Sequence, residues 1–229
     1  MKTNIYILIA AVVFIISEVN AQEEKGLKIN AEASLVSSFV WRGLFLSGVS
    51  LQPSLSASFS GFTFEAWGSK EFSTSFREFD FLLSYKKGGI SLGFSDYWGS
   101  EEVVPYFDYK EQHLFEGTIG YHFGEKFPLS LSWNTIFFGD QDKNDKSEQM
   151  FSSYMMLGYD FSAKDMEYSA EVGISPWKSI YSENFCVANV SLKASKNITV
   201  TNKFSIPCFV QAIFSPAKND AYLVFGMTF

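Results

Sequence analysis

The last nine residues alternate without a break. Ala221, Leu223, Phe225, Met227 and Phe229 fall on one side of an extended chain, and Tyr222, Val224, Gly226 and Thr228 fall on the other. Period-two alternation makes a strand with two unlike faces, one of which must be kept from water. The same pattern recurs along the chain: Phe79, Phe81, Leu83 and Tyr85 alternate with Glu78, Asp80, Leu82 and Ser84, and Leu51, Pro53, Leu55, Ala57 and Phe59 with Gln52, Ser54, Ser56, Ser58 and Ser60.

At the other terminus, Lys2 precedes an apolar run from Ile5 to Ile16, and Val19 and Ala21 stand as the small residues of a cleavage site before Gln22. This predicts a secretory signal peptide over residues 1–21. A helix needs roughly 20 apolar residues to cross a ~30 Å hydrocarbon core, and this run is too short. Residues 22–229 are then expected to form a single domain. Beyond Ala21 no stretch approaches 18 consecutive apolar residues. A mature chain that enters a membrane must therefore do so as a closed sheet, the other architecture that satisfies every backbone group in lipid.

Period-two runs give about 12 candidate strands, centred near Ser34, Leu55, Phe64, Phe81, Leu92, Thr118, Ser132, Met155, Ala170, Val190, Phe204 and Val224. A soluble sandwich also alternates, so the connections carry the distinction. Ser60-Gly61, Lys86 to Gly89, Gly124 to Phe127, Ser162 to Asp165 and Ala194 to Asn197 read as short turns. Arg42 to Ser50, Ser69 to Phe76, Gly99 to Gln112, Gly139 to Gln149, Pro176 to Glu183 and Ser215 to Asp220 read as mostly longer loops. Short turns at one end and longer loops at the other are the outer-membrane pattern. The predicted fold is all-β: a closed antiparallel transmembrane β-barrel of about 12 strands with short periplasmic turns and longer extracellular loops. The 25 Phe, 11 Tyr and 5 Trp suit lipid-facing walls and interfacial girdles. The formal net charge of −7 argues against a nucleic-acid partner.

The closing strand with its terminal aromatic Phe229 resembles the assembly signal of bacterial outer-membrane barrels. In the first half, Ser38-Phe39-Val40-Trp41-Arg42-Gly43, Gln52-Pro53 and Glu65-Ala66-Trp67-Gly68-Ser69 are followed by Glu78-Phe79-Asp80 and Leu92-Gly93-Phe94-Ser95-Asp96-Tyr97. This series resembles the porins grouped as the TorF family, and departs from them at Leu44-Phe45-Leu46. The resemblance implies a porin-like role without naming a solute. Expected partners are outer-membrane lipid, the barrel assembly machinery and small ions or polar solutes, in a bacterial outer membrane.

Giving the more apolar face of each strand to lipid leaves a lumen lined by Glu32, Arg42, Glu65, Glu78, Asp80, Glu116, Asp160, Glu167, Glu171 and Lys203. One reading is a passage whose carboxylates attract cations or neutral polar solutes. The other is an internal ion-pair network in which Arg42 and Lys203 cross-link carboxylates and plug the interior. Twelve strands lie between barrels filled by side chains and barrels with open channels, so both are physically available. Phe39, Trp41, Trp67, Tyr97, Trp98, Tyr121, Phe123, Tyr159 and Trp177 are expected in interfacial belts. The loop from Trp98 to Tyr109 holds Pro105, Tyr106 and Phe107, and either enters the mouth or stays outside.

No cofactor, metal or catalytic site is expected. Asp140 to Asp145 has alternating oxygen ligands but lacks the Gly and Glu of a calcium loop, and reads as a solvated charged loop. His113 and His122 lack a nucleophile motif beside them, so the chain is not expected to be an enzyme. Cys186 and Cys208 are either bridged or two lipid-facing free thiols, and sequence favours the second.

Overall fold

The computed structural model describes residues 26–102, 104–109, 112–201 and 204–229. The signal-peptide segment and Lys203 lie outside the described residues. The strands are β1 (Lys28–Val36), β2 (Phe39–Trp41), β3 (Leu44–Ser47), β4 (Ser50–Phe59), β5 (Phe62–Glu71), β6 (Arg77–Lys87), β7 (Ile90–Ser100), β8 (His113–His122), β9 (Leu129–Phe138), β10 (Ser153–Ala163), β11 (Met166–Ser175), β12 (Cys186–Thr201), β13 (Phe204–Ser215) and β14 (Asp220–Thr228). Twelve of them form one closed antiparallel barrel in which β1 pairs both β4 and β14; β2 and β3 pair only with each other.

Closure rests on a short seam. Ser34, Leu35 and Val36 pair with Thr228, Met227 and Gly226, and Ala33 and Phe229 exchange backbone hydrogen bonds of 3.1 and 2.9 Å. The terminal aromatic thus belongs to the wall. On the inner side of the same seam the Ser34 and Thr228 hydroxyls meet at 2.8 Å.

The wall separates two chemistries. Leu55, Phe64, Leu83, Leu131, Leu157 and Leu223 stand exposed on its outside. Glu116, Asn134, Ser153, Ser175, Asn189 and Ser191 are buried. A protein that hides hydroxyls and carboxylates while displaying rings and aliphatic chains is inverted with respect to water, and its outer face matches hydrocarbon. The barrel closes every edge, as an apolar surrounding requires.

Short turns join the strands at one end, called here the turn end, and three of them have two residues. Ser60-Gly61, Gly88-Gly89 and Lys164-Asp165 all have positive φ at both positions, the backbone whose twist matches flanking antiparallel strands. Ala194 to Asn197, expected as a turn, instead lies inside β12, which continues to Thr201. The Ser195–Phe209 and Asn197–Pro207 pairings carry the strand straight through this segment.

The longer connections lie at the opposite, loop end, and the first of them departs from expectation. Arg42 to Ser50 is not a simple loop. The connection from β1 to β4 contains a hairpin, β2 and β3, turned by Arg42-Gly43 with φ of 51° and 83°. This hairpin lies within the barrel.

Candidate functional site

The β2–β3 tip is fixed against the far wall. A Cβ on Gly43 would lie 2.1 Å from the Ala188 carbonyl oxygen of β12, so only glycine permits this approach. Phe39 packs on Trp67 of β5 at 5.3 Å between ring centroids, and Trp41 on Tyr97 of β7 at 5.7 Å. On the opposite side Phe45 stacks on Tyr222 of β14. The hairpin therefore spans the lumen.

Arg42 sits at the centre of this crossing. Its Nη1 donates to Glu116 Oε2 at 2.5 Å and its Nη2 to Glu116 Oε1 at 2.8 Å, a bidentate fork onto β8. Nη1 also donates to the Tyr181 hydroxyl at 3.2 Å. The guanidinium carbon lies 4.5 Å from the Trp41 ring centroid and 4.8 Å from that of Tyr154, so aromatic faces cover the planar cation. The Tyr97 hydroxyl donates to Glu116 Oε1 at 3.0 Å. Glu116 is 1% exposed and needs a cation at this depth. Burial pushes the Tyr181 phenol up to about 12, against the opposing pull of Arg42, so the ring stays neutral.

Tyr154 links this site to a second one. Its hydroxyl donates to Glu171 Oε1 at 2.6 Å, and Asn189 Nδ2 donates to the same oxygen at 2.7 Å. A Cβ on Gly173 would meet the Tyr154 hydroxyl at 2.0 Å, so the ring lies flat over the inner face of β11 where a side chain is missing. Asn189 is 4% exposed and its Oδ1 has no hydrogen-bond partner among the described residues.

Cavities flank the hairpin. One of about 320 Å³ is lined by Trp41, Arg42, Tyr154, Glu171, Asn189 and Gln211. Another of about 310 Å³, toward the loops, is lined by Trp41, Leu44, Glu78, Tyr97, Gln112 and Gln141. Trp41 lines both, so the hairpin is the partition between them.

Strand register places Glu32, Glu65, Glu78, Asp80, Glu116, Asp160, Glu167 and Glu171 on the inner face, level with Ser54, Ser56, Ser69, Trp67, Ser95, Ser169, Ser162 and Ser191 respectively. They do not form one cluster. Glu116 joins Arg42, and Glu171 joins Tyr154 and Asn189. Glu78 and Asp80 stand two residues apart on β6, with Asp80 Oδ1 accepting from the Trp98 backbone N–H at 3.2 Å. Glu32, which accepts from Asn30, and Glu167 are exposed near the turn end. Lys193, level with Ser169, is an inward cation that the sequence did not reveal; its Nζ lies 4.2 Å from the Phe209 ring.

Several aromatics expected in interfacial belts serve elsewhere. Phe39, Trp41, Trp67 and Tyr97 hold the hairpin, and Trp98 is buried under a loop; Tyr121, Phe123, Tyr159 and Trp177 do stand exposed. That loop does not enter the mouth. Tyr106 packs on Phe79, Phe81, Trp98 and His113, residues of the outer face. His113, fully buried, contacts Asp96 Oδ1 through Nδ1 and the Tyr106 carbonyl through Nε2, both at 2.6 Å. His122 Nδ1 accepts from Gly124 N–H at 3.0 Å at the turn end. Neither histidine contacts a serine hydroxyl among the described residues.

The charged loop expected to be solvated is organised around a buried Asp142, whose carboxylate accepts from the Ser152 N–H and from Gln149 Nε2 at 2.6 Å. Burial raises its pKa, with these bonds opposing. Among the described residues no group of three or more His, Cys, Asp or Glu side chains is placed to hold a metal ion. Cys186 and Cys208 are unbridged, but Cys186 packs against Tyr154, Tyr181 and Ala188, so it is not lipid-facing.

No family model matches the chain and no curated protein matches it, so the resemblance of the first half to the TorF-like porins carries no family assignment. Solved structures similar to it include an outer membrane channel from Pseudomonas putida F1, at 16% identity and TM-score 0.43, covering 92% of this chain and 98% of that one. A triple mutant of the Rhodopseudomonas blastica porin matches at 13% identity and TM-score 0.36, over 84% of this chain and 61% of the porin. BamA from Haemophilus ducreyi matches at 11% identity and TM-score 0.40, over 84% of this chain and 42% of BamA. The chain thus spans less than two thirds of the porin and of BamA. At these TM-scores the likeness adds nothing to the barrel already established by strand register.

Proposed function

We propose that this chain is a bacterial outer-membrane barrel that works as a narrow passage for ions or small polar solutes, with its aperture set by the β2–β3 hairpin. The observation that carries the reading is a polar lumen crossed by a hairpin with a cavity on each side. A hairpin paired only with itself rests on the wall through side chains and can shift without breaking the barrel. The apolar outer face supports a lipid surrounding. Export by residues 1–21, and insertion by the assembly machinery through the strand ending at Phe229, complete the reading.

The lining proposed to govern selectivity is Glu32, Glu65, Glu78, Asp80, Glu116, Glu167 and Glu171, with Arg42 at the constriction; Lys203 keeps only its sequence expectation. Inward carboxylates outnumber the inward bases Lys28, Lys86, Arg42 and Lys193, which supports a preference for cations. Reversal potential in a salt gradient tests this. Wild type is expected to favour cations, and Glu78→Lys with Asp80→Lys to reduce that preference; an unchanged potential rejects the lining.

A second reading, a barrel that conducts nothing and serves the envelope or binds a partner through its loops, is favoured by one feature. The Arg42–Glu116 fork and its aromatic cover tie the hairpin across the lumen. Folded protein giving no current at any voltage would select it.

A further inference from the structure

The four groups that hold Arg42 from the wall are separable from the hairpin that delivers it. Glu116, Tyr97 and Tyr154 stand on β8, β7 and β10, and Tyr181 lies in the connection before β12. Together they present a buried carboxylate edge, a phenol acceptor and an aromatic face, the chemistry that matches a planar fork of N–H donors and not a compact ammonium. Arg42 itself rides on a tip with left-handed backbone at both positions. Among the described residues the hairpin has no strand partner in the barrel.

A second observation points to a ligand in the same place. The cavity of about 320 Å³ opens onto Arg42 and Tyr154 and is lined by Glu171 and Asn189. Asn189 Nδ2 is committed to Glu171, which fixes the amide and leaves Oδ1 as a buried acceptor with no donor among the described residues. Buried acceptors of this kind are ordinarily matched. The cavity thus sets the Glu171 carboxylate beside Arg42, with a buried amide acceptor behind it.

We propose that the Glu116–Tyr97–Tyr154–Tyr181 wall is a binding site for solutes that carry a guanidinium group, and that Arg42 occupies it as a built-in surrogate when no solute is present. In naming a solute class this rests on the passage proposed above. An arriving guanidinium meets the Glu171 carboxylate in the cavity and then competes with Arg42 for Glu116. Its binding releases the tip and, with it, Trp41, the partition between the two cavities. A carboxylate already satisfied by the protein's own cation also excludes simple metal cations, which cannot replace the fork or the stacked faces.

The test uses the folded full-length barrel in detergent, with Arg42→Ala emptying the site, titrated calorimetrically with arginine amide and with lysine amide. The expected result is binding of arginine amide about ten-fold tighter than lysine amide, with the preference lost in the Arg42→Ala, Glu116→Gln double variant. Equal affinity for the two amides, or no binding of either, overturns the proposal. If Arg42→Ala does not fold, Arg42→Gln carries the same titration with the volume better filled. The site and the passage fail separately. Selective binding by a barrel that passes no current retains the site and removes the passage, whereas current without selective binding does the reverse.

Discussion

Asp96 and Glu116 stand on adjacent strands within one register step of each other, yet on opposite sides of the same wall. Glu116 is level with Ser95 and faces the lumen, while Asp96 is level with Phe115 and faces outward. Each carboxylate is buried, and each is closed off by a long connection from the loop end. The connection before β4 folds inward and brings Arg42 to Glu116. The connection before β8 folds outward and lays Tyr106 over the His113 that contacts Asp96. Both segments are rich in aromatic residues, so composition does not decide which way a loop goes. The parity of the carboxylate it must cover does. A single residue of register exchanges the faces.

Breaking the inner partnership is expected to have the largest effect. Arg42→Ala leaves Glu116 buried without its cation and should lower stability by about 3 to 5 kcal/mol, and adding Glu116→Gln should restore most of it. Urea unfolding in lipid vesicles measures both. A full additive loss in the double variant would show that the two residues are not coupled.

The two faces of the wall are compared by placing the same charge on each. Leu157→Arg on the outer face of β10 should lower stability by about 2 to 4 kcal/mol, as for a lipid-facing charge near midplane. Met156→Arg, one residue away and facing the lumen, should cost clearly less. Equal losses would mean that the outer face does not meet hydrocarbon.

On the outer side, His113→Ala removes the contact to Asp96 and leaves that carboxylate without its buried partner, a loss of about 1 to 3 kcal/mol. Protease cleavage near Phe107 should accelerate while conductance is unchanged, because the loop lies outside the lumen. A change in conductance would place that loop at the mouth after all. The smallest effect belongs to Tyr181→Phe, which deletes one hydrogen bond to Arg42 and keeps the ring. A loss of about 1 kcal/mol is expected, with a measurable weakening of the hairpin's hold.

The barrel was legible because its signal is repeated. Every predicted strand centre falls within one of the twelve wall strands, although Phe204 is the first residue of β13 and not its middle. Alternation also gives each carboxylate a side of its strand, since it depends on parity alone. It did not show which of them have partners, because Arg42 meets Glu116 across 74 positions of sequence and Tyr154 meets Glu171 across 17. The hairpin has a local signal in the sequence. Arg42-Gly43 between Phe39-Val40-Trp41 and Leu44-Phe45-Leu46 has the two-residue turn form, with glycine second. Short strands inside a connection look like loop when strands are counted by length. Tyr97, Tyr154, Tyr181 and Asn189 carried no local sign, because their role arises only where separate strands and one loop converge.

Single-channel conductance in planar bilayers, comparing the wild-type chain with one whose residues 38–48 are replaced by a short Gly-Ser link, bears most directly on the hairpin as the element that sets the aperture. Small or intermittent current is expected for the wild type, and a several-fold larger, steadily open conductance once the hairpin is gone. Identical conductance in the two proteins, or no current from the folded barrel without its hairpin, would contradict it.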